Sequence, residues 1–456
     1  MSHSPALAPP RPAAEHARAV LTLGLPLVGS HLAQMALHVA DTVMIGRYGV
    51  TELAAVVLGS STFFILFILG AGFAQAVMPL VAASAARQDE TQARRDARMG
   101  LWLSVAFGVS IYPLFWFSGP VLAFLGQKPD VVDLTRTFLR IAGLGMIPAL
   151  WVMVLKSFLA ALERTQVVLW VTVGGLFVNI GLNWLLIFGN AGFPELGVAG
   201  TAMASTMVQA ATCAALAVHA ARLPALRRYR LFQRLWRPDW AAARRVFRLG
   251  MPIGLTSLLE GGMFQASALM MGTIGTVELA THGIAMQCAS ITFMVHVGLS
   301  NAATVRAGRA LGQGDARGLR DGARVAVLLS LGFSLLTVAL FFAVPEPLVA
   351  VFISPDEPEA AAIVAFGVVL LALAGLFQVA DAMQVMALGL LRGIQDTRVP
   401  MWIAAFSYWA VGIPASWVLA FPLGQGGAGL WLGLVAGLVV AAGLLMTRFW
   451  RRAPRP

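Results

Sequence analysis

The stretch His31-Leu32-Ala33-Gln34-Met35-Ala36-Leu37-His38-Val39-Ala40-Asp41 puts four polar residues at spacings of 3, 4 and 3, inside an otherwise apolar run from Val20 to Ile45. That spacing is one face of an α-helix. An ionised group near the centre of a bilayer costs roughly 2.5 to 3.5 kcal/mol on the lenient insertion scale, so such a face turns to a wet cavity or to a partner helix. The spacing returns at Ser257, Glu260, Phe264 and Ser267 within the run Val246 to Met271, and both runs open with Gly-x-Pro, at Gly24–Pro26 and Gly250–Pro252. This is a duplicated membrane unit with a chemically marked inner face, and it points to movement of something polar or charged.

Composition agrees. The chain has 456 residues, 59% hydrophobic and 12% charged, with a mean hydropathy of +0.79, more apolar side chain than a soluble domain of that length could bury. A net charge of +11 would suit nucleic acid if it lay on one compact face, but the basic residues sit in short loops between apolar runs, as membrane orientation requires. No nucleic-acid partner is expected. Cys213 and Cys288 both fall in apolar runs, which argues against a disulfide framework or a metal cluster. Met1 to Ala14 is rich in Pro and Ala without the basic n-region, short h-region and cleavage site of a signal peptide, so the first apolar run reads as a retained span behind a disordered cytoplasmic tail.

Stretches able to cross about 30 Å of hydrocarbon fall near 20–45, 54–80, 98–125, 133–160, 166–188 and 197–220, then near 246–271, 278–304, 323–345, 360–390, 398–421 and 427–448. Basic residues alternate by loop: Arg87, Arg94, Arg95 and Arg98, then Arg164, then Arg222 to Arg248, Arg306 to Arg324, Arg392 with Arg398, and Arg448 to Arg455. The opposite loops hold Arg47 and Lys128 but lean acidic, with Glu346, Asp356, Glu357 and Glu359. The bias places both termini in the cytoplasm. The expected organisation is a tail at 1–19, a first lobe at 20–221, a cytoplasmic linker at 222–245 broken by Pro224 and Pro238, a second lobe at 246–448 and a tail at 449–456.

A constant offset of 226 residues, Pro26 to Pro252, aligns the halves: Gly46 with Gly272, Glu52-Leu53-Ala54 with Glu278-Leu279-Ala280, Gly72 with Gly298, Arg98 with Arg324. Six spans per half means that both halves enter from the same side, related by an axis along the membrane normal. The expected fold is therefore an all-α polytopic membrane protein, twelve transmembrane helices in two six-helix lobes with pseudo-two-fold symmetry, the build of an alternating-access carrier. Gly429, Gly433 and Gly437 recur every fourth residue in the last span, a packing seam.

Three carboxylates lie well inside the spans: Asp41, Glu260 and Asp381. The repeat does not duplicate them, since Asp41 aligns with Ser267 and Glu260 with Gln34. Each either belongs to a structural hydrogen-bond network or forms an ion site, and the second reading is favoured because packing residues should follow the repeat. Burial penalises a charged carboxylate and a nearby cation favours it, so proton, metal ion and cationic substrate can compete for one site. Candidate cavity residues are Gln34 and His38, Asn179 and Asn183 one turn apart, Gln287 and Asn301 on a stripe with Ser290 and Met294, and Phe377, Gln378 and Gln384 around Asp381. His31 and His38 either relay protons or hydrogen-bond across helices. Lys156 is expected to snorkel. The sequence contains no His-Glu-x-x-His, no Gly-x-Ser-x-Gly and no Gly-x-x-x-x-Gly-Lys-Ser/Thr. Protease, lipase and ATP-driven pump thus lack their parts, and an ion gradient is left as the driving force.

Asp41-Thr42-Val43-Met44-Ile45-Gly46-Arg47, Leu53-Ala54-Ala55-Val56 and Leu58-Gly59, followed in the second half by Gly250-Met251-Pro252-Ile253-Gly254, Glu260, Asp381 and Leu391-Arg392-Gly393, resemble multidrug and toxic compound extrusion (MATE) transporters of the NorM-like branch over about Leu21 to Arg448. The resemblance implies an antiporter that expels organic cations in exchange for sodium or protons from a V-shaped pair of lobes. It also implies that Glu260 and Asp381 form the cation site, sodium included, with Asp41 a proton or substrate group. Two departures stand out. Some sodium-coupled relatives carry Tyr four residues before the position of Asp381, where this chain has Phe377, and some archaeal relatives carry Asp where this chain has Asn183.

The reading that follows is an inner-membrane, multi-pass, monomeric exporter of small lipophilic cations. It needs no resident cofactor and is not an enzyme. The alternative is a flippase for a lipid-linked saccharide, which would want a cavity lined by several Arg or Lys for a pyrophosphate.

Overall fold

The computed structural model describes residues 12–354 and 357–454. The tail expectation before Pro12, Asp356 of the acidic loop and Arg455 of the last basic cluster lie outside them. In hydrocarbon every backbone N–H and C=O must be satisfied within its own segment, and the described chain is helical almost throughout. The first half runs α1 (Ala13–Tyr48), α2 (Val50–Ala86), α3 (Glu90–Trp116), α4 (Ser118–Phe124), α5 (Pro129–Leu144), α6 (Met146–Ala161), α7 (Thr165–Leu186) and α8 (Gly197–Arg222). A short α9 (Pro224–Arg227) lies in the connection. The second half runs α10 (Trp240–Ile274), α11 (Thr276–Gln313), α12 (Ala316–Ala343), α13 (Pro345–Ala350), α14 (Ala360–Gly393), α15 (Arg398–Ala405), α16 (Ile413–Ala420) and α17 (Gly426–Arg452).

The repeat is written into the joints. Single extended residues at equivalent positions, Gly49 and Gly275, separate α1 from α2 and α10 from α11, and in both the place of a Cβ is taken by the carboxylate three residues on, Glu52 or Glu278. Asp89 and Asp315, again equivalent, cap α3 and α12 by accepting from the N–H of Gln92 (2.8 Å) and Gly318 (2.7 Å), which satisfies one orphan donor at each helix start. Among the described residues ten helices, with Arg398–Ala420 taken as one, are long and apolar enough to cross a membrane, and α5 with α6 makes an eleventh span bent by 45° at Gly145. The remaining rod is α10, 35 residues against 36 for its counterpart α1 and diluted by Ser257, Glu260, Gly261 and Gly262.

Three details differ from the simple count. The fourth span is broken where its counterpart α14 is continuous. The third ends at Trp116, with α4 a separate turn. The eleventh contains a π-helical segment, Phe406–Gly412, just ahead of Pro414, whose missing N–H disrupts the i to i−4 ladder. The glycine seam of α17 does allow close approach: Gly429, Gly433 and Gly437 face Leu419, Ser416 and Gly412.

The halves meet through α1 on α11, α2 on α10 and α11, and α3 on α10. Backbones touch where glycines remove side chains: Gly72 against Gly250 and Gly254, Gly298 against Val28, Gly312 against Ala83. All of these lie toward the arginine-rich end. The last cross-half contacts toward the centre are Gly261 with Ile68 (3.8 Å from an added Cβ) and His31 with Asn301 (3.1 Å). Beyond that level no hydrogen bond, ion pair or ring contact joins the halves among the described residues. The molecule is thus closed at one end and parted at the other.

The connection between the halves is clamped rather than loose. Asp239 caps α10, which begins at Trp240 instead of Val246, and pairs with Arg95. Buried Asp96 takes Arg245 at 3.1 Å, Trp102 donates to the carbonyl of Leu235 at 2.6 Å, and Arg309 pairs with Glu163. Burial acts to raise the pKa of Asp239, but the N–H of Ala242 and the guanidinium of Arg95 outweigh it and hold the carboxyl below the usual carboxylate range. Its contribution is therefore present at neutral pH and lost only in acid, as pH falls through that lowered value.

Gly72→Val would drive a side chain into the backbone of Gly250 and Gly254. We expect it to part the closed end. In that background Ala302→Cys, fully buried at the interface, should label severalfold faster with a water-soluble maleimide than in the Gly72 protein.

Candidate functional site: two carboxylate clusters

In the first half α1, α7 and α8 bring Asp41, Asn179, Asn183 and Ser205 together. Asn183 donates from Nδ2 to Asp41 Oδ1 (2.6 Å) and to Asn179 Oδ1 (3.1 Å), and Ser205 donates to Asp41 Oδ2 (3.2 Å). Both oxygens of Asp41 are engaged, while Asn179 Nδ2 and Asn183 Oδ1 are buried without a partner. Asn183 thus serves Asp41 as a donor, a task that an aspartate at its position could perform only when protonated. His38, exposed, lies one turn before Asp41 on the same face. Lys156 does not snorkel: its Nζ turns inward and donates to Gln34 Oε1 at 3.1 Å.

The second cluster joins α10, α14 and the π segment. Asp381 is 2% exposed, and Glu260 is half-buried on α10. Glu260 lies within electrostatic reach of Asp381, Arg392 and Tyr408. Gln384 donates to the Tyr408 hydroxyl at 2.6 Å. Glu260 Oε1, Asp381 Oδ1 and Gln384 Oε1 are all buried with no donor facing them. A buried acceptor left unmatched costs about 1 to 3 kcal/mol, more if charged, and three in one place form a pocket that a proton or a cation would complete.

The other candidates occupy definite places. Gln378 donates to the carbonyl of Ala289 (2.9 Å) and to Thr292, tying α14 to α11. Phe377 is enclosed between Phe264 and Trp431, with ring centroids at 5.9 and 5.5 Å; it backs the cluster and does not line the parted cleft. Gln287 is half-buried on α11 with Ser290 and Met294. His31 and Asn301 form the cross-half bond already described. Cys213 and Cys288 are free and buried, and no group of three or more His, Cys, Asp and Glu gathers as a metal site among the described residues.

Two participants escaped the sequence reading. Tyr408 supplies the phenolic hydroxyl that Phe377 lacks, from a different helix and through the π segment, which sequence spacing on α14 could not reveal. Arg392, which the basic pattern of the sequence places with the loop arginines, ends α14 half-buried, and its Nη1 crosses to Gln75 Oε1 on α2 at 3.1 Å. A signal existed, since eleven residues, three helical turns, separate it from Asp381 and put both on one face.

A family model, MatE, matches residues 26–185 and 252–418, two segments whose starts differ by the same offset as the repeat. The chain belongs to the MatE family. Among curated relatives, a probable multidrug resistance protein NorM of Rhizobium meliloti is 45% identical over 96% of this chain and 93% of that protein. One of the same description from Pseudomonas aeruginosa is 37% identical over 96% and 90%. Among solved structures, the outward-facing conformation of a multidrug resistance MATE family transporter superposes with a TM-score of 0.87 at 20% identity, covering 96% of each chain. A eukaryotic MATE transporter gives 0.85 at 19% identity, also over 96% of each. The MatE fold of two six-helix lobes is therefore this chain's fold, in a multi-pass membrane protein of a transporter family and not an enzyme family.

Tyr408→Phe should leave the Gln384 amide without its acceptor in a buried site. We expect a loss of about 1 to 3 kcal/mol in stability, read as a lowered melting temperature in detergent, with the membrane level of the protein retained.

Proposed function

We propose that the protein is a secondary antiporter that exports lipophilic organic cations, drugs among them, in exchange for protons or sodium. It acts as a monomer in the bacterial inner membrane with both termini cytoplasmic, and it uses no resident cofactor. The observation that carries this reading is the trio of donor-less acceptors, Glu260 Oε1, Asp381 Oδ1 and Gln384 Oε1, beside the Tyr408 hydroxyl. Oxygen ligands of this kind suit a hard monovalent cation as well as a proton. The names of the relatives, multidrug resistance proteins, support the substrate class.

Exchange follows from competition. With the second-half carboxylates ionised and bare, Glu260 attracts Arg392, whose other contact is Gln75 across the halves. Loading a proton or sodium ion weakens that attraction and shifts the balance between the two arrangements of the halves, by as much as the ion's affinity differs between them. The cationic substrate is drawn by the same negative charge and, with Asp41, by that of the first half. In the present arrangement the closed end carries the arginines, so positive-inside orientation makes the parted end face outward, the release side for an exporter.

Glu260→Gln and Asp381→Asn each remove the exchangeable charge while keeping shape. In proteoliposomes loaded with a fluorescent cation, with pH and sodium gradients imposed separately, either substitution is expected to lower gradient-driven efflux at least tenfold, at unchanged protein per vesicle. Full efflux in both variants would refute the assignment, and wild-type efflux indifferent to both gradients would refute secondary coupling.

A further inference from the structure

We propose that a pocket of arginines at the closed end, where α3 meets the inter-half connection and α10, binds the phosphate of an anionic phospholipid. Arg94, Arg95, Arg98, Arg234 and Arg237 surround a cavity of about 430 Å³ whose only acidic lining residue is Asp239. That carboxylate is already taken by Arg95 and by the start of α10. Arg94 reaches only the amide oxygen of Gln233, at 3.4 Å. Arg98 is 8% exposed, spends Nη1 on the carbonyl of Arg234 at 3.0 Å, and has a buried Nε with no partner. Asp239 offsets part of the charge on Arg98, but Arg94, Arg95 and Arg234 also stand close enough to it for like-charge repulsion. Guanidinium groups present forked donors that match phosphate oxygens, and a bound phosphate would relieve the repulsion and satisfy Arg98.

The rim distinguishes a lipid from a soluble anion. Trp236 and Trp240 are 74% and 78% exposed, and Phe247, two turns along α10 from Trp240, is 46% exposed. Such aromatic side chains settle at the headgroup level of a bilayer, and basic pockets between membrane helices on the cytoplasmic side suit anionic headgroups. A phospholipid would place its phosphate among the guanidinium groups and its chains against Trp240, which lines the cavity, and the exposed part of Phe247, whose ring also stacks on Phe73, whereas a free phosphate would meet neither. The pocket takes α3 from one half and the connection with α10 from the other. Its occupant therefore favours the arrangement in which this end is closed.

The test counts lipids retained by the purified full chain, released from micelles holding equal phosphatidylglycerol and phosphatidylcholine, by native mass spectrometry. The wild type should retain phosphatidylglycerol in preference. Arg234→Gln with Arg237→Gln should lower that retention by on the order of fivefold per arginine removed, and Arg94→Gln alone by a smaller factor if the pair fails to fold. Arg227→Gln with Arg230→Gln removes equal charge from exposed sites outside the pocket and should leave retention unchanged, as should millimolar inorganic phosphate. The proposal is overturned by equal retention of the two lipids, by unchanged retention in the pocket variants, or by an equal loss in the control pair. Displacement by inorganic phosphate would also overturn it, making the pocket a soluble-anion site.

Discussion

Everything in this protein is organised around holding acidic side chains where hydrocarbon would expel them. Glu260 and Asp381 keep oxygens that no donor meets, and an unmet buried acceptor is costly until a proton, a water or an ion meets it. The asymmetry between the clusters follows from that contrast. Asp41 is satisfied on both oxygens by neighbouring amide and hydroxyl donors. Glu260 Oε1 and Asp381 Oδ1 in the second half have none.

Small residues and charge together hold one end of the molecule closed. Glycine backbones bring the halves into close contact at Gly72, Gly298 and Gly312, beside side-chain contacts such as Phe73 stacked on Phe247 and Asp96 paired with Arg245. Ion pairs and the Arg392 to Gln75 bond sit on the same closed end, so charge and close packing act together there. A bond from the carboxylate helix α14 to the opposite half, Arg392 to Gln75, links the helix of Asp381 directly to the closed end.

Much of the fold was legible because the repeat is written in residue types that recur at one offset: Gly-x-Pro within α1 and α10, Glu52 and Glu278 just after the joints, and Gly72 and Gly298 where the halves meet. What escaped lies where tertiary context overrides local pattern. The 45° bend at Gly145 follows from Pro148, whose missing N–H cannot bond the carbonyl of Leu144, a break that hydropathy alone runs straight through, and the π segment depends on how Pro414 is accommodated. The carboxylates of the site were visible as polar residues in apolar runs. Tyr408 was not, since its hydroxyl reaches Gln384 from a helix remote in sequence, and Lys156 and Arg392 were misplaced because their chains turn inward where simple hydropathy sends them to the surface.

The central claim is that the second-half carboxylates hold an ion which the substrate displaces. The most direct measurement is titration of purified protein in weakly buffered detergent with tetraphenylphosphonium, while protons and sodium ions released into solution are followed at the same time. The account predicts release of one or the other on binding in the wild type, and none in the Glu260→Gln, Asp381→Asn double variant. Substrate binding by the wild type with no release of either ion across the pH range would contradict it.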